Sequence, residues 1–206
     1  HWDCQISTLG SMSIADKITL SRVFLAPLFF LLYRYPLLEA LPTVILLWLL
    51  FAVIELSDLV DGKIARSSST VSDFGKLFDP FADVLARVSY FICFAFDGIM
   101  PLWIFLIILY REFSILFLRM MLSGRGIAMG ARPGGKLKAG LYMVSGLFAL
   151  LYSSLQRLSL AAPLQNPLKV LVVVVFIAAG VLSVLSFVDY LIQYKKLTSA
   201  AKGHNS

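Results

Sequence analysis

The sequence predicts an all-α integral membrane protein, a bundle of six transmembrane helices. Hydrophobic residues make up 59% of the chain and charged residues 15%, whereas a soluble domain carries about a quarter charged residues. Six apolar segments run along the chain, each near the roughly 20 residues that cross a bilayer. The alternating pattern of a membrane β-barrel is not visible. A chain this apolar has too little polar surface to face water on all sides.

Turn residues separate the six apolar segments. Prolines at 36 and 42 bracket the first external turn, Pro101 follows the second, and prolines at 163 and 167 mark the third. We expect the membrane domain to span residues 12–198, preceded by an extension at 1–11 and followed by a tail at 199–206. The segments comprise, in order, about 18–33, 41–56, 77–96, 102–118, 139–155 and 168–192.

The basic residues predict the orientation of the helices. With both termini in the cytoplasm, thirteen of the 18 Lys and Arg residues fall on the cytoplasmic side. Arg34, Arg157 and Lys169 fall outside, and two more lie within spans. Such an excess is typical of cytoplasmic loops, and the net charge of +6 suits anionic lipid headgroups. We therefore expect a multi-pass protein of the cell (cytoplasmic) membrane, with membrane lipid and no nucleic acid as partner.

Acidic residues cluster after the second apolar segment, in the stretch DLVDGKIARSSSTVSDFGKLFDPFAD. Asp58 and Asp61 are three residues apart, and Asp79 and Asp83 are four apart, so each pair shares one face of a helix. Two antiparallel helices can bring all four carboxylates to one point, where they would repel one another. Divalent cations would remove that cost, and carboxylate oxygens suit Mg²⁺, Mn²⁺ or Ca²⁺.

Small residues and one base accompany these acids. Gly62 and Gly75 let a ligand approach the two helices, Ala65 keeps the next turn small, and Arg66 can hold a phosphate. The combination predicts a pocket for a metal-bound pyrophosphate. A solvated charged loop is the alternative, and it is disfavoured because the acids adjoin membrane spans. We expect the helical pattern to continue through both charged stretches, 55–66 and 73–87.

The acidic stretch matches the signature D-x2-D-G-x2-A-R-x8-G-x3-D-x3-D at all of its fixed positions. The chain therefore resembles the CDP-alcohol phosphotransferases. The resemblance implies a six-helix fold, usually dimeric, with a cytoplasm-facing polar active-site cavity and two divalent ions, Mg²⁺ or Mn²⁺. It implies that Asp58, Asp61, Asp79 and Asp83 bind metal and that Asp83 is also the general base. The matching positions are Asp58, Asp61, Gly62, Ala65, Arg66, Gly75, Asp79 and Asp83.

The resemblance also implies a donor and its binding residues. The donor is CDP-diacylglycerol, whose phosphatidyl group passes to an alcohol while CMP leaves. Metals would neutralise the pyrophosphate, and a carboxylate would take the proton of the attacking hydroxyl. The residues implied to bind this CDP-lipid are Thr19, Asp58, Asp61, Gly62, Ala65, Arg66, Gly75 and Asp79.

Three further stretches resemble bacterial phosphatidylglycerophosphate synthases. They are residues 18–22 (an LTxxR-like element), 111–119 (REF…LR) and 135–138 (GKxK). This similarity implies glycerol 3-phosphate as the acceptor, and a dianionic acceptor needs several cations around its phosphate. The candidate cations are Arg111, Arg119, Lys136 and Lys138. The alternative is that these bases only anchor the helices on the cytoplasmic side. For Arg111, an interior role is favoured because it stands among apolar residues beside Glu112.

Departures from the subfamily pattern leave other acceptors open. Asp16 replaces an Asn, Val84 a Lys and Ala139 a Thr. The alternatives keep the chemistry and use inositol phosphate, serine or choline as acceptor. An alternative of another class is a membrane metal or ion transporter, which is disfavoured because the third to sixth spans show no continuous polar track. Gly140 and Gly146 are expected to be helix-packing positions, and Glu55 is an intramembrane acid whose partner stays open.

Overall fold

The computed structural model describes residues 14–67, 73–124 and 133–203, which form six helices. No strand occurs in these residues, so the all-α prediction is confirmed there. The side chains of residues 14–16, 58–67, 73–77, 133–136 and 200–203 are not among those described. The predicted extension, 1–11, also lies outside the described residues. The helices are α1 (Ile14–Arg34), α2 (Ala40–Ser67), α3 (Asp73–Phe96), α4 (Leu102–Ser123), α5 (Pro133–Arg157) and α6 (Ala162–Gly203).

Three of these helices are long and apolar enough to cross a bilayer. The apolar stretches are Ala40–Ser57 in α2, Leu137–Arg157 in α5 and Ala162–Ser199 in α6. In α1, α3 and α4, any stretch of 18 residues contains at least three charged side chains. On length and composition alone, the described helices therefore fall short of six spans. The helices that fall short are the ones that carry many of the candidate site residues.

The chain forms two compact units, the first ending at Tyr90 and the second beginning at Phe91. In the first unit, α1 has one buried face whose members are three or four residues apart, as helical periodicity requires. Its polar residues lie at the N-terminal end of the face, and its apolar residues follow. The face consists of Thr19, Arg22, Ala26, Phe29 and Tyr33.

Tyr90 of α3 holds the core of the first unit together. Its ring meets Phe29 of α1 edge-on at 6.3 Å between centroids and Phe51 of α2 at 5.4 Å. Phe29 in turn stacks on Tyr33 at 6.0 Å. Such aromatic pairs stabilise a core beyond the area they bury. One fully buried tyrosine therefore joins all three helices of this unit.

The direction of the helices follows from their contacts. Contacts between α1 and α3 advance together along both helices, from Thr19–Asp79 through Arg22–Asp83 to Phe29–Tyr90. These two helices therefore run parallel. Only residues 35–39 connect α1 to α2, and a connection this short returns the chain antiparallel. The two acid-bearing helices α2 and α3 are thus antiparallel, as the sequence predicts.

In the second unit, α4 and α6 also run parallel. Ile104 lies next to Gly180, and further along the helices Arg111 contacts Ser186. A Cβ placed on Gly180 would lie 3.3 Å from Cγ2 of the fully buried Ile104, so the absence of a side chain lets the helices approach closely. The predicted packing glycine Gly140 is instead exposed, and no atom of the described residues lies within 4 Å of an added Cβ, so Gly140 is not a packing position against the described part of the chain.

We expect Gly180→Leu to destabilise the protein and Gly140→Leu to leave it nearly unchanged. A large side chain at position 180 would overpack the contact with Ile104, at a cost of about 1–3 kcal/mol. Thermal unfolding in detergent measures both variants. Ile104→Ala should restore part of the loss in the Gly180→Leu background. Equal shifts for the two glycine variants would contradict the packing argument.

Candidate active site

Two acids of the signature lie one turn apart on α3 and contact α1. The hydroxyl of Thr19 donates a hydrogen bond to Oδ1 of Asp79 at 2.6 Å. The guanidinium of Arg22 donates from Nη1 to Oδ1 of Asp83 and forms an ion pair with it. Its Nη2 lies 3.4 Å from the Thr19 hydroxyl. Asp79 and Asp83 thus share one face, as predicted from their spacing, and α1 supplies a donor to each.

The other two acids lie on α2. This helix continues to Ser67 and α3 begins at Asp73, so the predicted helical continuation is confirmed for the described residues on both sides of 68–72. The helical backbone of α2 includes Asp58, Asp61, Gly62, Ala65 and Arg66, and that of α3 includes Gly75. Their side chains lie outside the described residues, so the convergence of four carboxylates stays a prediction.

Glu55 lies one turn before Asp58 on α2. It is largely buried, and its Oε1 accepts a hydrogen bond of 2.9 Å from the hydroxyl of Tyr90. A buried carboxylate is costly unless it is hydrogen-bonded, and this contact supplies a donor. Tyr90 therefore has a polar role in addition to its place in the aromatic core, which answers the question that the sequence left open for Glu55.

The described acids supply oxygen ligands of the kind that hard divalent cations prefer, although no group of three or more His, Cys, Asp or Glu side chains that could hold a metal lies among the described residues. Asp79 and Asp83 are both partly exposed, and each accepts a hydrogen bond at Oδ1. Hydrogen bonds to metal-binding carboxylates orient them for the ion, and carboxylate oxygens are the donors that Mg²⁺ and Mn²⁺ prefer. The residues that could hold a metal are therefore these two, with Asp58 and Asp61 as the predicted remainder.

A buried charge cluster occupies the second unit. Glu112 of α4 accepts a hydrogen bond from Arg111 at 2.9 Å and a second one, also an ion pair, from Nζ of Lys138 on α5. Arg111 also donates to the hydroxyl of Ser186 on α6 at 2.9 Å. These three charged residues are at most 6% exposed. The interior position favoured for Arg111 is confirmed, and Lys138 is likewise an interior residue.

Tyr190 of α6 lies against two of the candidate acceptor-binding cations. The guanidinium carbons of Arg111 and Arg119 each lie 5.7 Å from its ring centroid. Arg119 donates a hydrogen bond of 2.9 Å to its hydroxyl. Among the described residues, Nε of Arg111 and Nε of Arg119 are buried without a hydrogen-bond partner. The side chain of Lys136 is not described.

Buried polar contacts also occur in the second unit beyond the charge cluster. Tyr142 donates to Ser183 at 2.8 Å, which extends the polar contacts one turn beyond Ser186. Polar contacts therefore join α4, α5 and α6 over about two turns, and the prediction that the later spans lack a continuous polar track stays a prediction. Hydropathy did not reveal them because their α6 members are uncharged and stand in a strongly apolar sequence. Arg22 and Glu112 are site residues that were not predicted from the sequence; the signal available for Arg22 was its spacing from Thr19, which places both on one helix face.

Comparison with known proteins identifies related sequences. A family model described as CDP-alcohol phosphatidyltransferase matches residues 12–185. A protein of Treponema pallidum (strain Nichols), named CDP-diacylglycerol–glycerol-3-phosphate 3-phosphatidyltransferase, is 44% identical over 69% of this chain and 67% of its own. One of the same name from Bacillus subtilis (strain 168) is 32% identical over 68% and 78%. One from Mycobacterium tuberculosis (strain CDC 1551 / Oshkosh), whose name is "Probable phosphatidylglycerophosphate synthase", is 34% identical over 86% of this chain and 79% of its own.

We expect Glu112→Ala to destabilise the protein by about 3–5 kcal/mol, because it leaves two buried cations without their shared anion. Thermal unfolding in detergent measures the loss. Adding Lys138→Met should recover part of the stability, since the double variant removes one of the uncompensated charges. Additive losses in the double variant would show that the two residues are not coupled.

Proposed function

The chain belongs to the CDP-alcohol phosphatidyltransferase family, and we propose that it transfers the phosphatidyl group of CDP-diacylglycerol to glycerol 3-phosphate, giving phosphatidylglycerophosphate and CMP. The names of the three relatives support this acceptor, and their matches extend over 68% to 86% of the chain. The observation that carries the acceptor assignment is the placement of two arginines, Arg111 and Arg119, against the same ring of Tyr190.

The reaction requires a proton acceptor beside the attacking alcohol. A hydroxyl oxygen of the acceptor forms a bond to the phosphorus of the phosphatidyl group, the bond from that phosphorus to the CMP oxygen breaks, and CMP leaves. We assign Asp83 as the base that takes the hydroxyl proton, because its carboxylate is partly exposed and is anchored through Oδ1. Thr19, implied to bind the CDP-lipid, is fully buried and contacts Asp79, so we assign it to the support of that acid.

A divalent cation, Mg²⁺ or Mn²⁺, would stabilise the charge of the pyrophosphate and of the leaving CMP. We propose that Asp58, Asp61, Asp79 and Asp83 hold two such ions. The small residues of the signature, Gly62, Ala65 and Gly75, would leave room for the nucleotide, and Arg66 would contact its phosphates. The spacing of the acids and the anchoring of the α3 pair support this assignment.

We propose that Arg111, Arg119, Lys136 and Lys138 supply the positive charge for the acceptor phosphate. Arg111 and Lys138 share Glu112, so this cluster of two cations and one anion keeps a net positive charge. Arg119 is the more exposed of the two arginines, so its guanidinium is the one more accessible to a phosphate.

The enzyme is proposed to act in the cell membrane, with its termini and polar active-site cavity on the cytoplasmic side, as a homodimer. The asymmetry of the basic residues supports the orientation. The dimer rests on the family resemblance alone. Cross-linking in native membranes, and accessibility of single cysteines placed at 35–39 and 158–161, would test these two points separately.

We expect the activity to depend on the acids and on a divalent cation. Asp58→Asn, Asp61→Asn and Asp79→Asn should each lower the rate by orders of magnitude, since each removes a charge from the proposed ion clamp. CMP release by purified protein, with and without EDTA, measures this. Asp97→Asn, which changes an exposed acid outside the signature, is the control. Full activity in one of the three variants would remove that residue from the ligand set.

The acceptor is tested with purified protein, CDP-diacylglycerol and a panel of alcohols, with CMP release as the signal. We expect glycerol 3-phosphate to be used far better than free glycerol, inositol phosphate, serine or choline. Equal use of glycerol and glycerol 3-phosphate would overturn the acceptor assignment while leaving the family chemistry in place. No CMP release with any alcohol would overturn the proposed function.

Arg119→Gln should raise the KM for glycerol 3-phosphate about tenfold or more and leave the affinity for CDP-diacylglycerol nearly unchanged. A charge-assisted hydrogen bond contributes roughly 1.5–3 kcal/mol, which corresponds to that factor. Lys169→Gln, at an exposed base of the same unit, is the matched control. An unchanged KM would exclude Arg119 from acceptor binding.

A further inference from the structure

Two residues of α1 each contact one of the two acids of α3. Thr19 and Arg22 are three apart on α1, and the acids they contact, Asp79 and Asp83, are four apart on α3. Both spacings are one helical turn, so the two pairs stay in register along parallel helices. The 3.4 Å approach of Arg22 to the Thr19 hydroxyl joins the two contacts into one network.

Arg22 is a charge placed in a buried face. It is 1% exposed, and the residues that follow it on the same face, Ala26, Phe29 and Tyr33, are buried apolar or aromatic side chains. A guanidinium in such a position is costly unless it is paired. Asp83 supplies the pairing, yet its own side chain is 25% exposed. The pair therefore has an inner, fully buried end and an outer end at which the carboxylate reaches the surface.

We propose that Arg22 is a positioning residue for the phosphatidyl transfer. By engaging Oδ1 of Asp83, it fixes the orientation in which that carboxylate takes the proton of the attacking alcohol, and Thr19 fixes Asp79 in the same manner. This inference rests on the proposed function, because Asp83 is the base assigned there. Arg22 acts through Asp83 and is too deeply buried to contact a substrate itself.

The planar guanidinium suits this role better than an ammonium group. Nη1 of Arg22 contacts Asp83 while Nη2 of the same group approaches Thr19. A lysine has one nitrogen on a flexible chain, so it preserves the charge without the fixed fork geometry. Arg22→Lys should therefore keep the ion pair and lose part of the orientation, whereas Arg22→Gln loses the charge.

The experiment compares unmodified protein, Arg22→Gln, Arg22→Lys, Asp83→Asn and the double variant Arg22→Gln/Asp83→Asn. The measurements are kcat, KM for both substrates, binding of CDP-diacylglycerol in mixed micelles, and the thermal unfolding temperature. Arg34→Gln, at the exposed arginine at the end of α1, is the matched control.

We expect Arg22→Gln to lower kcat about 10- to 100-fold, the range for residues that orient catalytic ligands. KM values and donor binding should stay within about threefold, and Arg22→Lys should recover part of kcat. In the Asp83→Asn background, Arg22→Gln should cost less than about threefold, because a residue that acts through Asp83 has little effect once that carboxylate is gone.

Three results would overturn the inference while the unmodified protein stays active. They are an unchanged kcat in Arg22→Gln, multiplying losses in the double variant, and parallel loss of kcat and donor binding. If Arg22→Gln does not yield folded protein, Arg22→Lys decides, since undiminished kcat in that folded variant would contradict the need for the fork geometry. Absence of CMP release by the unmodified protein with every alcohol would instead overturn the proposed function, and the inference with it.

Discussion

Pairing of charges inside apolar helices is the constraint on which this structure depends. Asp83 is compensated by Arg22, and Glu112 by Arg111 and Lys138. An unpaired charge in these positions costs several kcal/mol, so the partner helices must adopt the register that brings each pair together. The same contacts therefore fix the alignment of α1 with α3 and of α4 with α5, in two units that each hold part of the proposed chemistry.

This constraint also explains the uneven composition of the helices. α2, α5 and α6 contain the apolar stretches that suit a bilayer, whereas α1, α3 and α4 carry acids and bases along their buried or partly exposed faces. A count of apolar spans treats all faces of a helix alike, but a charge on an inward face never meets lipid. The six apolar segments of the sequence thus correspond to the six described helices. Only three of these helices contain a stretch that is long and apolar enough to cross a bilayer.

The features that depend on local sequence pattern are predictable from the sequence alone. The helical continuation around the acids, the shared face of Asp79 and Asp83, and the interior position of Arg111 all follow from spacing and neighbours along the chain. The tertiary partners of these residues are not predictable in this way, because periodicity identifies the buried face of a helix and leaves open which residues lie opposite that face. Arg22 lies in the LTxxR-like element and Tyr190 in the apolar segment 168–192, and only tertiary contacts place each of them beside a charge.

Among the departures from the subfamily pattern, Val84 is the one next to Asp83 in the sequence. Val84 stands where a lysine is common, and it is 5% exposed. Successive helix positions differ by about 100° in direction, so the side chain at 84 leaves the face on which Asp83 meets Arg22. A buried lysine there would need an anion of its own, and a valine does not. This substitution therefore leaves the acid pair intact.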